Sequence, residues 1–296
     1  MTRLVHTGNV IVDVALTVDE LPERGSDVLA SSSSIQVGGA FNTLAAAARD
    51  GLEAVHVGAR GTGPFASLVA DALSREGIRA TGPVGDVDTG YSVVLIDRDA
   101  ERTFVTHTGA EALLTTQDLD RTVLVPGDTV AVSGYSLAHS PGVVGPWAAG
   151  LPAGIVVVFD PSPLVGTLDP DDLDGVLQRA DIVTANTREA RILGPRLDAV
   201  HRLVVRAGAD GCWLRARGET SARRIAGFPV RALDTTGAGD THCGVLCAAL
   251  ARGESLESAA RRANAAASIA VGRQGPATAP VSAEIDALLA SAAGPA

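Results

Sequence analysis

Short apolar, β-branched runs recur along the chain at 54–57, 130–132, 155–159, 182–184 and 203–205, and most are separated by helical patterns. Those patterns cover 42–50, closed by Gly51, 64–76, closed by Gly77, 172–180 and 187–193. A continuous apolar strand has no polar face to give to water, so both faces must be covered. Parallel strands joined by crossover helices meet that demand. The alternation therefore predicts an α/β fold with a doubly wound, mostly parallel central sheet. The glycines that close the helices are the expected left-handed C-caps.

Two stretches break the rhythm. Residues 10–37 and 78–107 read as strands without intervening helices. The second contains a hairpin, 91–97 with 102–107, around an Asp-Arg-Asp-Ala-Glu turn. We expect a small antiparallel β sheet attached as a lid to a single domain spanning 1–296. The tail is helical: over 256–271 the residues Leu256, Ala259, Ala260, Ala263, Ala267 and Ala270 share one face. That face is small enough to approach a sheet or a flat ligand closely.

At 296 residues and 46% hydrophobic, the chain can bury a large core. Its net charge of −10, with both signs interspersed, argues against a nucleic-acid or anionic-membrane partner, because phosphate backbones demand a basic face. No run of apolar residues is long enough to span a bilayer, and Asp13 interrupts the N-terminal segment before a signal-peptide core could form. Cys212, Cys243 and Cys247 are few and odd in number, as suits a reducing cytoplasm. Cys243 and Cys247 lie four apart on a helix face and read as small apolar residues. All 24 basic residues are arginine. Without lysine there can be no P-loop, no protein-kinase strand lysine and no Schiff base. A nucleotide would have to be held by glycine turns, arginine and metal.

Asp234-Thr-Thr-Gly-Ala-Gly-Asp240 lies between an apolar run, 228–233, and a helical pattern, 241–252. A glycine turn that opens a helix presents unpaired N–H groups and the positive end of the helix dipole, and so attracts phosphate. A carboxylate beside that phosphate costs Coulomb energy unless it has a role there. Taking the proton of a hydroxyl that attacks phosphorus is such a role. The plainer reading keeps Asp240 as a helix cap.

Other candidates stand where open α/β sheets bind ligands, at strand ends. Asn186-Thr-Arg-Glu189 follows one strand and could reach metal or phosphate, or could be only a capping box. Arg206-Ala-Gly-Ala-Asp-Gly211 follows the next, with Arg206 placed for phosphate or the segment serving only as a hairpin turn. Val37-Gly-Gly-Ala-Phe-Asn42 again leads from strand to helix, and Asp13 ends an apolar run. Gly38 and Gly39 let backbone approach a ligand, while Asp13 and Asn42 offer acceptors and donors for hydroxyls. No two of the six histidines have metal-ligand spacing.

The order and spacing of these pieces resemble the PfkB family of carbohydrate kinases, also called ribokinase-like, over essentially the whole chain. Gly-Gly-Ala-Phe-Asn42 with Gly51 and Gly61 is similar to that family's N-terminal glycine motif. Asp-Thr-Thr-Gly-Ala-Gly-Asp240 is similar to its C-terminal motif, and Asn186-Thr-Arg-Glu189 to its Asn-x-x-Glu element. The resemblance implies an ATP-dependent kinase acting on a hydroxymethyl group of a small-molecule sugar. It implies Asp240 as catalytic base and the amides of Gly237, Ala238 and Gly239 as anion hole. Asn186 and Glu189 would help hold phosphate and Mg²⁺. Asp13, Gly38, Gly39 and Asn42 would contact sugar hydroxyls, and Arg206, Gly208, Gly211 and Asn264 would line the nucleotide site. Some relatives bind a monovalent cation such as K⁺ beside the anion hole, where Asp234, Thr236, Ala270, Arg273 and Gly275 occupy matching places. Exposed lid edges often pair, which would give a homodimer through the lid, but the sequence does not fix the oligomeric state.

The chain departs from true ribokinases, which carry a lysine in the first glycine motif and one more residue before the asparagine. Leu44 and Val245 stand where smaller residues are usual. A nucleoside kinase of the same fold and a non-catalytic sugar- or nucleotide-binding regulator are the alternatives. Retention of Asp240 with its Gly-Ala-Gly turn argues against the regulator. A Rossmann dehydrogenase lacks its glycine fingerprint.

Overall fold

The computed structural model describes residues 2–99 and 101–292. In chain order the first half gives β1 (Arg3–His6), β2 (Val10–Thr17), β3 (Ser32–Gly39), α1 (Ala40–Arg49), β4 (Glu53–His56) and α2 (Pro64–Arg75). There follow β5 (Arg79–Ala80), β6 (Tyr91–Ile96), β7 (Arg102–His107), α3 (Thr116–Asp120), β8 (Thr129–Ser133), α4 (Gly134–His139) and α5 (Val144–Ala149). The second half contributes β9 (Val156–Asp160), α6 (Pro170–Arg179), β10 (Ile182–Asn186), α7 (Thr187–Leu193), β11 (Arg202–Arg206), β12 (Cys212–Ala216) and β13 (Arg223–Ile225). Three helices close the chain: α8 (Ala238–Ala251), α9 (Leu256–Val271) and α10 (Ser282–Ser291).

Nine strands form the large sheet in the order β13-β12-β11-β10-β9-β8-β1-β4-β5. All neighbours from β5 to β11 run parallel, and only β12 and β13 turn antiparallel at one edge. On β1 the adjacent Leu4 and Val5 point to opposite faces, and each enters a different core cluster. One cluster gathers α1, α2, α8, α9 and α10. The other gathers α3, α5, α6 and α7. Both faces are therefore covered, as the unalternating strands require. The helices α4 and α5, six residues each, were not evident from periodicity because so few turns give no repeating stripe.

The lid is a second sheet of order β3-β2-β6-β7. Its β2–β3 and β6–β7 pairings are antiparallel, while β2 and β6 run parallel at its centre. The hairpin of β6 and β7 forms as expected. The expected lid segment 78–107 needs a correction at its start, since Arg79 and Ala80 pair with Val55 and His56 at the edge of the large sheet. The chain leaving α2 at Gly77 has only to run beside β4 to satisfy its backbone there, so the lid strands begin at Tyr91. No helix among the described residues is long and apolar enough to cross a membrane. The three cysteines are free and buried.

Candidate active site

The strand order reverses direction between β1 and β8, since the chain passes from β1 to β4 on one side and resumes at β8 on the other. Crevices beyond the carboxyl ends at such a point are where open sheets hold ligands. Three neighbouring strands end there on polar residues: β9 on Asp160, β10 on Asn186 and β11 on Arg206. The register places Asn186 directly beside Arg206.

Arg206 organises this row. Its Nη1 donates to Asp160 Oδ2 at 2.6 Å and to the Gly239 carbonyl at 3.2 Å. Its Nη2 reaches Glu189 Oε2 at 3.5 Å. Burial disfavours the guanidinium charge, but Asp160 outweighs that cost and keeps it protonated. The expected Arg206–phosphate contact is thus revised: the guanidinium is engaged by two carboxylates and ties β11 to the first turn of α8. Asn186 and Glu189 form the capping box. Glu189 N donates to Asn186 Oδ1 at 2.9 Å, and Asn186 N donates back to Glu189 Oε2 at 2.7 Å. The Asn186 amide also donates to Glu189 Oε1 at 2.7 Å. Burial raises the Glu189 pKa above the ordinary glutamate value. The box fixes a carboxylate whose edge faces Arg206.

Gly237 is the N-cap of α8 and sits at φ 72°, a left-handed conformation that glycine adopts without strain. Amides in the first turn of a helix have no intrahelical carbonyl to bond; of these, Ala238 N–H turns back to Thr235 O at 3.3 Å. Asp240 lies in this first turn. Asn42 Nδ2 donates to its Oδ2 at 3.0 Å, and Thr43 Oγ1 approaches its Oδ1 at 3.5 Å. Burial, joined by the nearby Asp160 charge, raises the Asp240 pKa despite those donors and Arg206. Gly244, one turn along the same helix face, explains the geometry. A Cβ there would stand 2.3 Å from the Thr43 carbonyl, so only glycine lets α8 lie this close to α1. Asn42 was expected on sugar hydroxyls. Its amide nitrogen instead positions Asp240, while its Oδ1 is buried without a partner.

The lid closes the site from above. One face of its register presents Asp13, Ala15 and Thr17 of β2, Ser32, Ser34 and Gln36 of β3, and Arg102 and Phe104 of β7 to a cavity of about 420 Å³. Asp234, Thr236 and Gly275 complete its wall. Burial first, then the Asp240 charge, pushes the Asp13 pKa up to about 6. Gly38 lets the carboxylate lie against the β3 backbone in this position, where a Cβ would stand 2.5 Å from Asp13 Oδ2. Gly39 caps α1 next door.

Gly208 and Gly211 flank the turn between β11 and the antiparallel β12, so the hairpin reading of 206–211 also holds. Asn264 donates to the carbonyls of Ile225 and Ala226, at 3.1 and 3.2 Å, and thereby braces the strand beyond that turn. Asp234, Thr236 and Gly275 gather by backbone hydrogen bonds, from Thr236 N at 2.9 Å and Gly275 N at 3.1 Å to the Asp234 carboxylate. Ala270 and Arg273 lie close by, with Arg273 N donating to Ala270 O at 3.0 Å.

Three participants were not singled out from the sequence. Asp160 directly follows the 155–159 run, the same strand-end position that drew attention to Asn186, and it was legible by that rule. Tyr135 stands near the start of α4 after β8, with its ring stacked on His139, and burial together with the charges of Asp240, Asp160, Glu189 and Asp13 raises its pKa. Arg102 carried no local signal, because its partner Asp234 is remote in sequence.

The model of the pfkB family carbohydrate kinases matches residues 1–283. The chain is 30% identical over 295 residues to an uncharacterized sugar kinase of Escherichia coli, with 94% of this chain and 91% of the other covered. It is 30% identical to an ATP-dependent ribose-1-phosphate kinase of Halopiger xanaduensis, covering 98% of both. Among solved structures, the ribokinase of Thermotoga maritima superposes with a TM-score of 0.83 at 24% identity, over 98% of this chain and all of the other. The fold is shared with that ribokinase, and with the family model matching nearly its whole length the chain belongs to the pfkB family of carbohydrate kinases.

Proposed function

We propose that this carbohydrate kinase transfers the γ-phosphoryl group of ATP to a hydroxymethyl oxygen of a small sugar held beneath the lid, with Asp240 as general base. The observation that carries the reading is the Asp240 carboxylate: half-buried, raised in pKa and fixed by Asn42 and Thr43 in the first turn of α8. A carboxylate that resists ionisation is a stronger proton acceptor than a solvated one. As the acceptor oxygen bonds to phosphorus, its proton passes to Asp240, the bond from phosphorus to the β-phosphate oxygen breaks, and ADP leaves. Negative charge on the transferring oxygens meets the amides of Gly237, Ala238 and Gly239 and the dipole of α8. Phosphoryl transfer needs little beyond such positioning and charge stabilisation.

Asp13, with Gly38 and Gly39 making room, accepts hydroxyl hydrogen bonds on the sugar side. The nucleotide lies along the ends of β9–β11, over the Gly208–Gly211 turn, with Asn264 bracing the wall behind. Asp160 and Glu189 are hard oxygen donors suited to Mg²⁺, which takes one or two carboxylates plus phosphates and water. Among the described residues no three acidic, histidine or cysteine side chains enclose a metal by themselves. Mg²⁺ would therefore be held jointly with the nucleotide, where it would neutralise phosphate charge. Three free buried thiols fit a cytoplasmic setting. A homodimer joined at the lid would cover Ile35 and Val105, both exposed on the face away from the cavity.

A coupled ADP-release screen over hexoses, pentoses, keto-acid sugars and nucleosides tests the reading. At least one carbohydrate should stimulate ADP release in Mg²⁺, and excess EDTA should abolish it. Release that no carbohydrate stimulates, or that survives unchanged in Asp240→Asn, would overturn it.

A further inference from the structure

Both edge strands of the lid touch the loops that flank the anion hole. Arg102, on β7, donates from Nη2 to Asp234 Oδ1 at 2.6 Å. On β3, the Gln36 amide lies against Gly275, its Oε1 2.8 Å from where a Cβ on that glycine would stand. Arg102 and Asp234 are 26% and 12% exposed, so this ion pair is far less screened than a surface one.

The five residues that match a monovalent-cation site do not fit one here. Asp234 Oδ1 accepts from both Arg102 and the Thr236 amide, and Oδ2 accepts from the Gly275 amide. The Ala270 carbonyl accepts from Arg273 N at 3.0 Å and from Thr278 Oγ1 at 3.1 Å, which uses both of its lone pairs. Arg273 bonds the Thr278 carbonyl and Glu284 and adds a fixed positive charge of its own.

We infer that the Arg102 guanidinium, delivered by the lid, stands in for a monovalent cation at Asp234. The order of the anion-hole loop then follows lid closure and not potassium concentration. A guanidinium suits this position because it is always charged and more weakly hydrated than an ammonium group, so it can be brought to a carboxylate at modest desolvation cost. It is covalently part of the chain, so no ion has to be captured. Asp234 is two residues before Thr236 and three before Gly237, so a charge that fixes its carboxylate also fixes the turn that opens α8. Burial pushes the Asp234 pKa up, but the Thr236 and Gly275 amides and the Arg102 charge together bring it below the ordinary aspartate value. The carboxylate is thus satisfied without a metal. The inference rests on the anion-hole reading above, but its primary test needs neither substrate nor turnover.

Melting temperature and calorimetric titration with KCl, against tetramethylammonium chloride at equal ionic strength, separate a bound ion from general salt effects. The wild-type protein should melt identically in the two salts and give no heat of K⁺ binding. Arg102→Gln vacates one side of Asp234 and should create a K⁺-specific rise in melting temperature of about 2–4 °C, the size a site near tenfold saturation produces. Arg102→Lys keeps the charge and should remain indifferent to K⁺; it also serves if the glutamine variant does not fold. K⁺-specific stabilisation of the wild type or of Arg102→Lys would overturn the inference, as would a folded Arg102→Gln that ignores K⁺. Once an acceptor is known, wild-type turnover should be equal in the two salts, and a K⁺ requirement there would count against the substitution in the same way.

Discussion

On β1 the adjacent Leu4 and Val5 are both fully buried, whereas on β7 the adjacent Phe104 and Val105 are 55% and 65% exposed. The two sheets draw on the same apolar and β-branched residue types but use their faces differently. The large sheet is clad in helices on both sides, so its strand ends are rigid and can hold Asp160, Asn186 and Arg206 within hydrogen-bond reach of α7 and α8. The lid gives one face to the cavity and much of the other to water, and it contacts the Asp234 and Gly275 loops through side chains such as Arg102 and Gln36. On the proposed reading, turnover depends on the doubly clad sheet and sugar recognition on the lid. Predictions that tie turnover to the body and sugar affinity to the lid can break or sharpen this division.

The largest effect belongs to the body. Asp240→Asn keeps shape and helix capping but removes basicity, and it should lower kcat by roughly 10²–10⁴-fold with unchanged melting. Steady-state turnover alongside a thermal melt checks this, and near wild-type turnover would return Asp240 to a structural cap. Next comes Arg206→Met, which leaves Asp160 and Glu189 as neighbouring carboxylates without their counter-charge. Loss of about 3–5 kcal/mol is expected in urea unfolding at neutral pH, because a buried charge is left uncompensated. The penalty should shrink as the medium is acidified and the carboxylates protonate; a deficit independent of pH would mean that packing, not charge, was lost.

The lid substitution Asp13→Asn should act on the sugar. Apparent sugar affinity should fall roughly 10–100-fold with kcat and nucleotide affinity nearly preserved, since charge-assisted bonds to hydroxyls contribute about 1.5–3 kcal/mol each. It also carries a pH signature of defined sign. The Asp13 pKa is about 6 in the fold against an ordinary value near 3.8, so the group stabilises the protein fully only below about pH 4 and loses that contribution as pH rises through 6. The asparagine variant should therefore be more stable than wild type at pH 8, by about 3 kcal/mol, and match it near pH 4. Equal melting of the two proteins at pH 8 would refute the buried-carboxylate account. The smallest effect is expected for Val105→Ser on the outward lid face: within about 0.5 kcal/mol in stability and silent in kinetics. A larger loss that depends on protein concentration would show that a second copy covers this face.

The doubly wound body could be read from the sequence because its signals are local. A run such as 155–159 states its own burial, and the helices 187–193 and 256–271 begin and end where their patterns do. The glycine turn before Asp240 was equally plain, since a left-handed N-cap is a property of Gly237 itself. Tertiary structure decided which polar groups meet. Asn42 was chosen as a sugar contact for its donor and acceptor, yet Gly244 draws α8 against α1 and turns that amide onto Asp240. Arg206 looked like a phosphate ligand because a lone arginine at a strand end has no visible partner; the register of β9, β10 and β11 supplied Asp160 and Glu189. Likewise the Asp234 loop matched a cation site of some relatives by residue position alone, and only the lid brought Arg102 across 132 positions of sequence to its carboxylate. Backbone conformation and burial are set by neighbours along the chain and by periodicity, so composition and spacing reveal them. Pairing of charges depends on distances in space between segments far apart in sequence, and only the packed fold fixes those distances.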